Sequence, residues 1–317
     1  MNLFNRDKKK TNERRTVNKK IGKILMVTAI YFVVFQIAAT VAGVLMMARK
    51  SSNIHSVAAL EKSGIPYFVA IACGMLVIIA VTSPRLRRRM FTETNVRMTP
   101  VIFLCLVAVM MSGQIISSLY GSALEAFVNL FGYSATAQMQ AATAHSQTFS
   151  MLVYASLIGP LSEEIVFRGF LLRSFEAYGK KFAIIMSAYM FGLYHANLVQ
   201  SPFAFLLGLV LGYTALTYGL KWAFALHVFN NFILGDFLIF ILRDVPTHQA
   251  ESISGMVLLF GGLLGMWVLW NRRNEIKTWL KKQQEAQAYL KETFFGRYNV
   301  IITVVVFILA CMGLEKL

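Results

Sequence analysis

Residues 148–171 read TFSMLVYASLIGPLSEEIVFRGFL. About 20 mostly apolar residues in a helix suffice to cross the roughly 30 Å of hydrocarbon in a bilayer, so this stretch is long enough to span a membrane. It nevertheless contains three charged side chains, Glu163, Glu164 and Arg168. A charge at the centre of a membrane helix costs about 2.5–3.5 kcal/mol on insertion scales. Each of the three therefore needs a partner or a function.

The rest of the chain is also apolar. Of its 317 residues 57% are hydrophobic, and the mean hydropathy is +0.59, beyond the range of soluble domains. Apolar stretches of about spanning length cover residues 24–47, 65–82, 100–119, 148–171, 182–199, 203–220, 222–242, 254–271 and 299–314. The last is short. The sequence predicts an all-α fold, a polytopic transmembrane helix bundle of eight or nine spans with an internal cavity.

Basic residues alternate between the two sides of the predicted bundle. The formal net charge is +16, and 26 of the 31 Lys and Arg residues fall before residue 24, in 85–97, in 168–181, at Lys221 or in 272–297. Cytoplasmic connections are enriched in Lys and Arg, which places the N-terminus in the cytoplasm and 120–147 outside. The charge is thus interpreted as topology and as attraction to anionic lipid, and no nucleic-acid partner is expected.

Four regions follow from this pattern. Residues 1–23 form a basic cytoplasmic arm, expected to be disordered, and 24–147 hold the first spans, beginning with a retained anchor, and an outer connection. Residues 148–242 form a candidate catalytic core. Residues 243–317 hold the last spans and a cytoplasmic interfacial segment over 272–297, where charge alternates with apolar residues.

The adjacent carboxylates Glu163 and Glu164 cannot have the same role, because successive residues of a helix project about 100° apart. Arg168 follows Glu164 by four residues, the spacing at which an ion pair forms along one helix face. We therefore expect Glu164 and Arg168 to form a structural pair. Glu163 is left without that partner, free to face a cavity and act as a general base.

Two histidines lie in later apolar stretches. His195 ends the sequence Phe191-Gly192-Leu193-Tyr194-His195, and His227 precedes Asn231 by one helical turn, which puts these two on one face. Asn230 is expected to point elsewhere and to bond between helices. Counting helical rise from the nearest basic residues places Glu163, His195 and His227 at or below the midplane, so that a shared cavity open to the cytoplasm is possible. His55, His145 and His248 fall in predicted connections and are expected to be solvated.

With these residues the chain resembles the CAAX-protease and bacteriocin-processing (CPBP) family of intramembrane proteases, also called the Abi family. The resemblance covers about residues 150–240. It implies an intramembrane endopeptidase in which Glu163 and His195 activate a water, while His227 and Asn231 stabilise the oxyanion. Glu164 and Arg168 would orient the site. The family also suggests a bacterial cell membrane as location and a membrane-associated or lipid-proximal peptide as substrate, a prenylated C-terminus being one option.

The cofactor requirement has two readings. Members of this family have also been called metalloproteases, which would make Glu163, His195 and His227 ligands of a divalent metal such as zinc. The chain lacks the His-Glu-x-x-His helix of the zincins. We favour a glutamate-activated water with no required cofactor and keep zinc as the alternative.

Two rival functions remain. Intramembrane Glu and His residues also mark transporters and proton relays, although the sequence shows no internal repeat of the kind that transporters carry. A non-catalytic peptide-binding or immunity protein could use the same cavity.

Overall fold

The computed structural model describes residues 3–49, 62–91, 94, 96–143, 146–282 and 285–317. We number the helices in chain order: α1 (Leu3–Arg49), α2 (Ile65–Val81), α3 (Pro84–Met90), α4 (Pro100–Asn129), α5 (Thr136–Thr143), α6 (Phe149–Tyr178), α7 (Lys180–Tyr194), α8 (Gln200–Thr217), α9 (Leu220–Leu242), α10 (Thr247–Asn271), α11 (Arg273–Lys282), α12 (Glu285–Phe294) and α13 (Arg297–Cys311). In the described part of the chain, only the two-residue strands β1 (Tyr133–Ser134) and β2 (Glu315–Lys316) add sheet. The all-α prediction is confirmed.

Six of these helices are long and apolar enough to cross a membrane, counted over the described residues: α1 from Thr16 to Ala48, α4, α6, α8, α9 and α10. The helices α2 and α13 are apolar but shorter, and α7 has 15 residues. Large apolar side chains along α1, α2, α10 and α13 are exposed, as expected of a lipid-facing surface. The chain is a helical membrane bundle, and the exact number of spans stays a prediction.

Two expectations about individual segments are wrong. Residues 3–23 belong to the continuous helix α1, so the predicted disorder of the basic arm is not seen there. The predicted span over 182–199 is not one helix, because α7 ends at Tyr194 and α8 begins at Gln200. Between them Ala196 has a φ of +44°, a conformation that interrupts a helix. His55 and His145 lie outside the described residues.

The most extensive helix pairings are α4 with α10, α7 with α8, and α1 with α2. Close approach in the first pair depends on Gly262 and Gly265 of α10, which are buried against α4. Small residues allow such contact in membranes, where apolar burial does not drive association. The helices α6, α7 and α8 supply most of the buried core, and this central packing is what positions the charged residues of α6.

Two of the long helices depart from α-helical geometry. In α6 the segments Tyr154–Ile158 and Glu164–Leu171 are π-helical, as is Phe229–Phe237 in α9. Such wide turns occur frequently at functional sites. Here they lie within the two helices that carry Glu163, Glu164, His227 and Asn231.

Candidate functional site

Glu164 and Arg168 form an ion pair inside the bundle. Arg168 Nη1 donates to Glu164 Oε1 at 2.8 Å, and both side chains have no exposed surface. The guanidinium carbon of Arg168 also lies 4.2 Å from the centre of the Phe191 ring, a favourable cation–π arrangement. Gly208 of α8 leaves the room that this side chain occupies, since a Cβ there would lie 3.3 Å from Arg168 Nη2.

His227 lies between the two carboxylates. Its Nδ1 is 2.9 Å from Glu164 Oε1, and its Nε2 is 3.6 Å from Glu163 Oε2. A carboxylate paired with arginine only accepts hydrogen bonds, so His227 Nδ1 carries the proton and donates to Glu164. The nitrogen Nε2 is thereby directed at Glu163. The spacing along the helix predicts the pair of Glu164 and Arg168, which is present; the contact of both carboxylates with His227 has no signal in the sequence.

His195 occupies the C-terminal cap of α7. Its Nδ1 lies 2.8 Å from the carbonyl oxygen of Phe191, which can only accept, so Nδ1 carries a proton and Nε2 presents its lone pair. The edge of the ring packs on Phe191, with centroids 4.9 Å apart. Phe191 therefore contacts His195 and Arg168, and its ring also meets His227 edge-on at 5.7 Å.

The turn that follows His195 is held by α5. Gln138 Oε1 accepts from Leu198 N at 2.7 Å, and its Nε2 donates to Ala310 O at 2.8 Å. Asn197 Nδ2 in turn donates to the carbonyl of Gln138, at 3.2 Å. The helices α5 and α13, both far from His195 in the sequence, thus hold the turn that follows it. No local sequence pattern could predict these contacts.

Asn231 and Asn230 lie together, contrary to the expectation that Asn230 points elsewhere, whereas the expected bond between helices is present, because Gln114 Nε2 of α4 donates to Asn230 Oδ1 at 2.9 Å. Asn231 Nδ2 donates to Ala155 O at 3.0 Å, and Asn230 Nδ2 donates to Asn231 Oδ1 at 2.9 Å. Both line the same cavity. The expectation assumed α-helical rotation, whereas this part of α9 is a π-helix, in which each residue turns through a smaller angle.

A cavity of about 1250 Å³ unites the proposed catalytic residues. It is lined by Glu163, His195, His227, Asn230 and Asn231, and by the tyrosines Tyr67, Tyr154 and Tyr194. The buried Tyr31 packs against Tyr194, with ring centroids 6.0 Å apart. Glu164 and Arg168 do not line the cavity and pack behind it.

Tyr194 stands beside His195 in the sequence, so its presence at the site could have been predicted. Tyr31 and Tyr67 come from other helices, and no local pattern indicates that they lie at the site.

The cavity extends from the candidate catalytic residues towards α5 and the connection between α9 and α10. Besides the candidate catalytic residues its lining includes residues of α5 and of the segment between α9 and α10, for example Met139, Arg243 and Val245. Those connections are predicted to be outside. With the predicted topology the cavity extends from Glu163 towards the outer face, and not towards the cytoplasm.

The residues named for the zinc alternative do not form a metal site. Among the described residues no three His, Cys, Asp or Glu side chains are grouped so that they could hold a metal ion. Glu163 and His227 are close, but His195 does not complete such a group with them.

Comparison with known proteins supports the resemblance drawn from the sequence. Residues 145–233 match the family model described as "Type II CAAX prenyl endopeptidase Rce1-like". A protein of Bacillus subtilis (strain 168) named "Putative membrane peptidase YdiL" is 28% identical over 116 residues, which is 36% of this chain. The match spans about half of that relative, 46% of its length. No solved structure matches. The matches support a membrane protease at the level of the family.

Proposed function

We propose that this protein is an intramembrane endopeptidase that hydrolyses a peptide bond of a membrane-associated or lipid-proximal substrate, held in the cavity beside Glu163. One observation carries the proposal. A carboxylate, Glu163, lies 3.6 Å from a histidine nitrogen at the wall of a cavity that His195 and Asn231 also line. Polar groups at membrane depth are costly and are usually functional, and these four types together suffice for acid–base hydrolysis.

In the proposed reaction a water lies between Glu163 and His195. Glu163 takes a proton from the water while His195 Nε2 accepts the other hydrogen bond, and the oxygen attacks the carbonyl carbon. The carbonyl oxygen becomes an oxyanion, which accepts from the Asn231 amide and from His227 when its Nε2 is protonated. The carbon–nitrogen bond then breaks as Glu163 returns the proton to the leaving amine.

The residues behind the cavity have an orienting role in this proposal. Glu164 fixes the His227 ring through Nδ1, and Arg168 holds Glu164 while its guanidinium stacks on Phe191. Partners of this kind set which nitrogen of a histidine is protonated. Glu164 and Arg168 are accordingly positioning residues and do not contact the substrate.

The remaining proposals concern location and partners. We place the N-terminus in the cytoplasm because of the distribution of Lys and Arg. The helices α11 and α12, which cover most of 272–297, would lie at the cytoplasmic surface, where Arg273, Lys277 and Lys281 can meet anionic lipid. Nucleic acid is not a proposed partner, and no cofactor is required in the proposed mechanism.

The test compares membranes that contain the intact protein with membranes that contain Glu163→Gln at equal level. Glutamine has the same shape but cannot take up the proton, so peptide fragments found by mass spectrometry only with the intact protein identify a substrate. A synthetic peptide across the cleaved bond, with a fluorophore and a quencher at its ends, then serves as reporter for the purified protein. Identical fragment sets in the two membranes would refute the proposal and favour a non-catalytic binding protein.

A further inference from the structure

A chain of three side-chain amides ends at the proposed oxyanion donor. Gln114 Nε2 of α4 donates to Asn230 Oδ1 at 2.9 Å, Asn230 Nδ2 donates to Asn231 Oδ1 at 2.9 Å, and Asn231 Nδ2 donates to Ala155 O at 3.0 Å. All three amides line the cavity. The chain connects α4 and α9 to α6, so it joins three helices at the depth of the site.

The carbonyl of Ala155 accepts the last of these bonds because the helix itself offers it no donor. In a π-helix the carbonyl of residue i accepts from the N–H of residue i+5, and five residues after Ala155 stands Pro160, which has no N–H. The N–H of Gly159, the α-helical alternative, instead bonds Tyr154 O. A carbonyl without a donor is unfavourable at membrane depth, and the amide of Asn231 supplies the donor.

The direction of the whole chain follows from that carbonyl. Ala155 O can only accept, so Asn231 must present its nitrogen there and its oxygen on the other side. That oxygen can only accept, so Asn230 must present its nitrogen to it. The oxygen of Asn230 then requires a donor, which Gln114 provides. The assignment of nitrogen and oxygen in all three amides is thus fixed by hydrogen bonding and not by shape.

We propose that Gln114 and Asn230 are positioning residues that hold the amide of Asn231 with its second N–H proton available to the cavity. This inference rests on the proposed function, in which Asn231 stabilises the oxyanion. The terminal torsion of asparagine has two broad minima half a turn apart. A rotated Asn231 would direct its carbonyl oxygen at the oxyanion, and two negative oxygens repel. The bond from Asn230 opposes that rotation, and Gln114 keeps Asn230 in the donating orientation.

The kinetic test uses the full-length protein in nanodiscs and the fluorescent reporter peptide. In Gln114→Met and Asn230→Leu we expect kcat to fall about 3- to 100-fold with KM unchanged, which is less than the roughly 10²–10³-fold expected for loss of the oxyanion donor itself in Asn231→Ala.

In a background of Asn231→Ala the Gln114→Met change should have no further effect, because residues that act through one another are not additive. Asn299→Leu is the control: it removes a buried amide of α13 that bonds Phe294 O at 3.3 Å, outside the cavity lining, and should keep the parental kcat.

A second measurement does not depend on catalysis. In protein with 15N-labelled asparagine, the side-chain amide signal of Asn231 is assigned by its loss in Asn231→Ala. We expect this signal to shift and its protons to exchange faster in Gln114→Met, while Asn299→Leu leaves it unchanged. An unchanged Asn231 signal in Gln114→Met would overturn the inference, whether or not a substrate is known. So would an unchanged kcat in Gln114→Met when Glu163→Gln is inactive, a result that leaves the proposed function intact.

Discussion

His227 Nδ1 lies 2.9 Å from Glu164 Oε1, the same oxygen that accepts from Arg168 at 2.8 Å. One carboxylate oxygen therefore joins α6 to α9 and receives two donors, one of them permanently charged. Neither Glu164 nor Arg168 has exposed surface, so water cannot replace a missing partner. The structural stability of the bundle and the orientation of the proposed catalytic histidine depend on the same contact.

Removal of either member of this buried pair should destabilise the protein. A buried charge that loses its partner costs about 3–5 kcal/mol, so Glu164→Ala and Arg168→Ala should melt at much lower temperature and accumulate less in membranes, with partial recovery in the double variant. The control is Glu275→Ala, which breaks the exposed pair of Arg272 and Glu275 and should cost at most about 1 kcal/mol. Parental melting of both single variants would contradict the stabilising role.

Glu163→Gln and His195→Ala should nearly abolish turnover of the reporter peptide while folded protein remains at parental level. General acid–base groups contribute about 10²–10⁴-fold in rate, and neither substitution touches the buried pair of Glu164 and Arg168. The measurement is kcat of purified protein, with circular dichroism to verify helix content. Parental kcat in Glu163→Gln would refute the proposed site.

Strong chelators should not inactivate the purified enzyme. The proposed reaction uses Glu163 and His195 to activate water and contains no metal step. Reporter cleavage is measured after incubation with EDTA and with 1,10-phenanthroline, followed by gel filtration. Loss of activity that zinc restores would contradict the proposed reaction and establish a metal requirement.

Gly208→Ala should destabilise the core through overpacking. A Cβ at this position would lie 2.8 Å from the Cα of Ala188 on α7, closer than packed atoms allow, and 3.3 Å from Arg168 Nη2, a tight contact. Such overpacking typically costs about 1–3 kcal/mol. Gly43→Ala in α1 is the matched control, because a Cβ there meets nothing within 4 Å, and it should leave the melting temperature unchanged or slightly raised. Equal melting of the two variants would show that α7 and α8 can separate without cost.

The predicted topology can be tested with a membrane-impermeant thiol reagent on intact cells. In a variant whose three cysteines, Cys73, Cys105 and Cys311, are replaced by alanine, a cysteine is placed at an exposed position. Leu130→Cys and Gln249→Cys should react from outside, and Lys277→Cys on α11 only after the cells are opened. Labelling of Lys277→Cys alone in intact cells would reverse the orientation and turn the cavity towards the cytoplasm.

The sequence by itself determined the class of the fold. Long apolar stretches must be helical in lipid, because every backbone N–H and carbonyl has to find its partner within the segment, and that argument needs no tertiary information. The i,i+4 spacing of Glu164 and Arg168 likewise predicted a contact that the structure contains, since helix geometry alone fixes it. The family resemblance also rested on residues that could be recognised in order along the chain.

Only the tertiary structure decided which of these residues meet. His227 contacts Glu164 at 2.9 Å because α6 and α9 pack together, and Asn230 contacts Asn231 at 2.9 Å because this part of α9 is π-helical. The hydrophobic pattern specifies neither the packing of the helices nor the π-helical turn. The end of α7 at Tyr194 was missed for a related reason, because the turn after it is apolar enough to resemble a continuing span but is held by Gln138 of α5. The pattern of apolar residues indicates which segments can lie in lipid. The site, in contrast, is defined by hydrogen bonds between helices that are far apart in the chain.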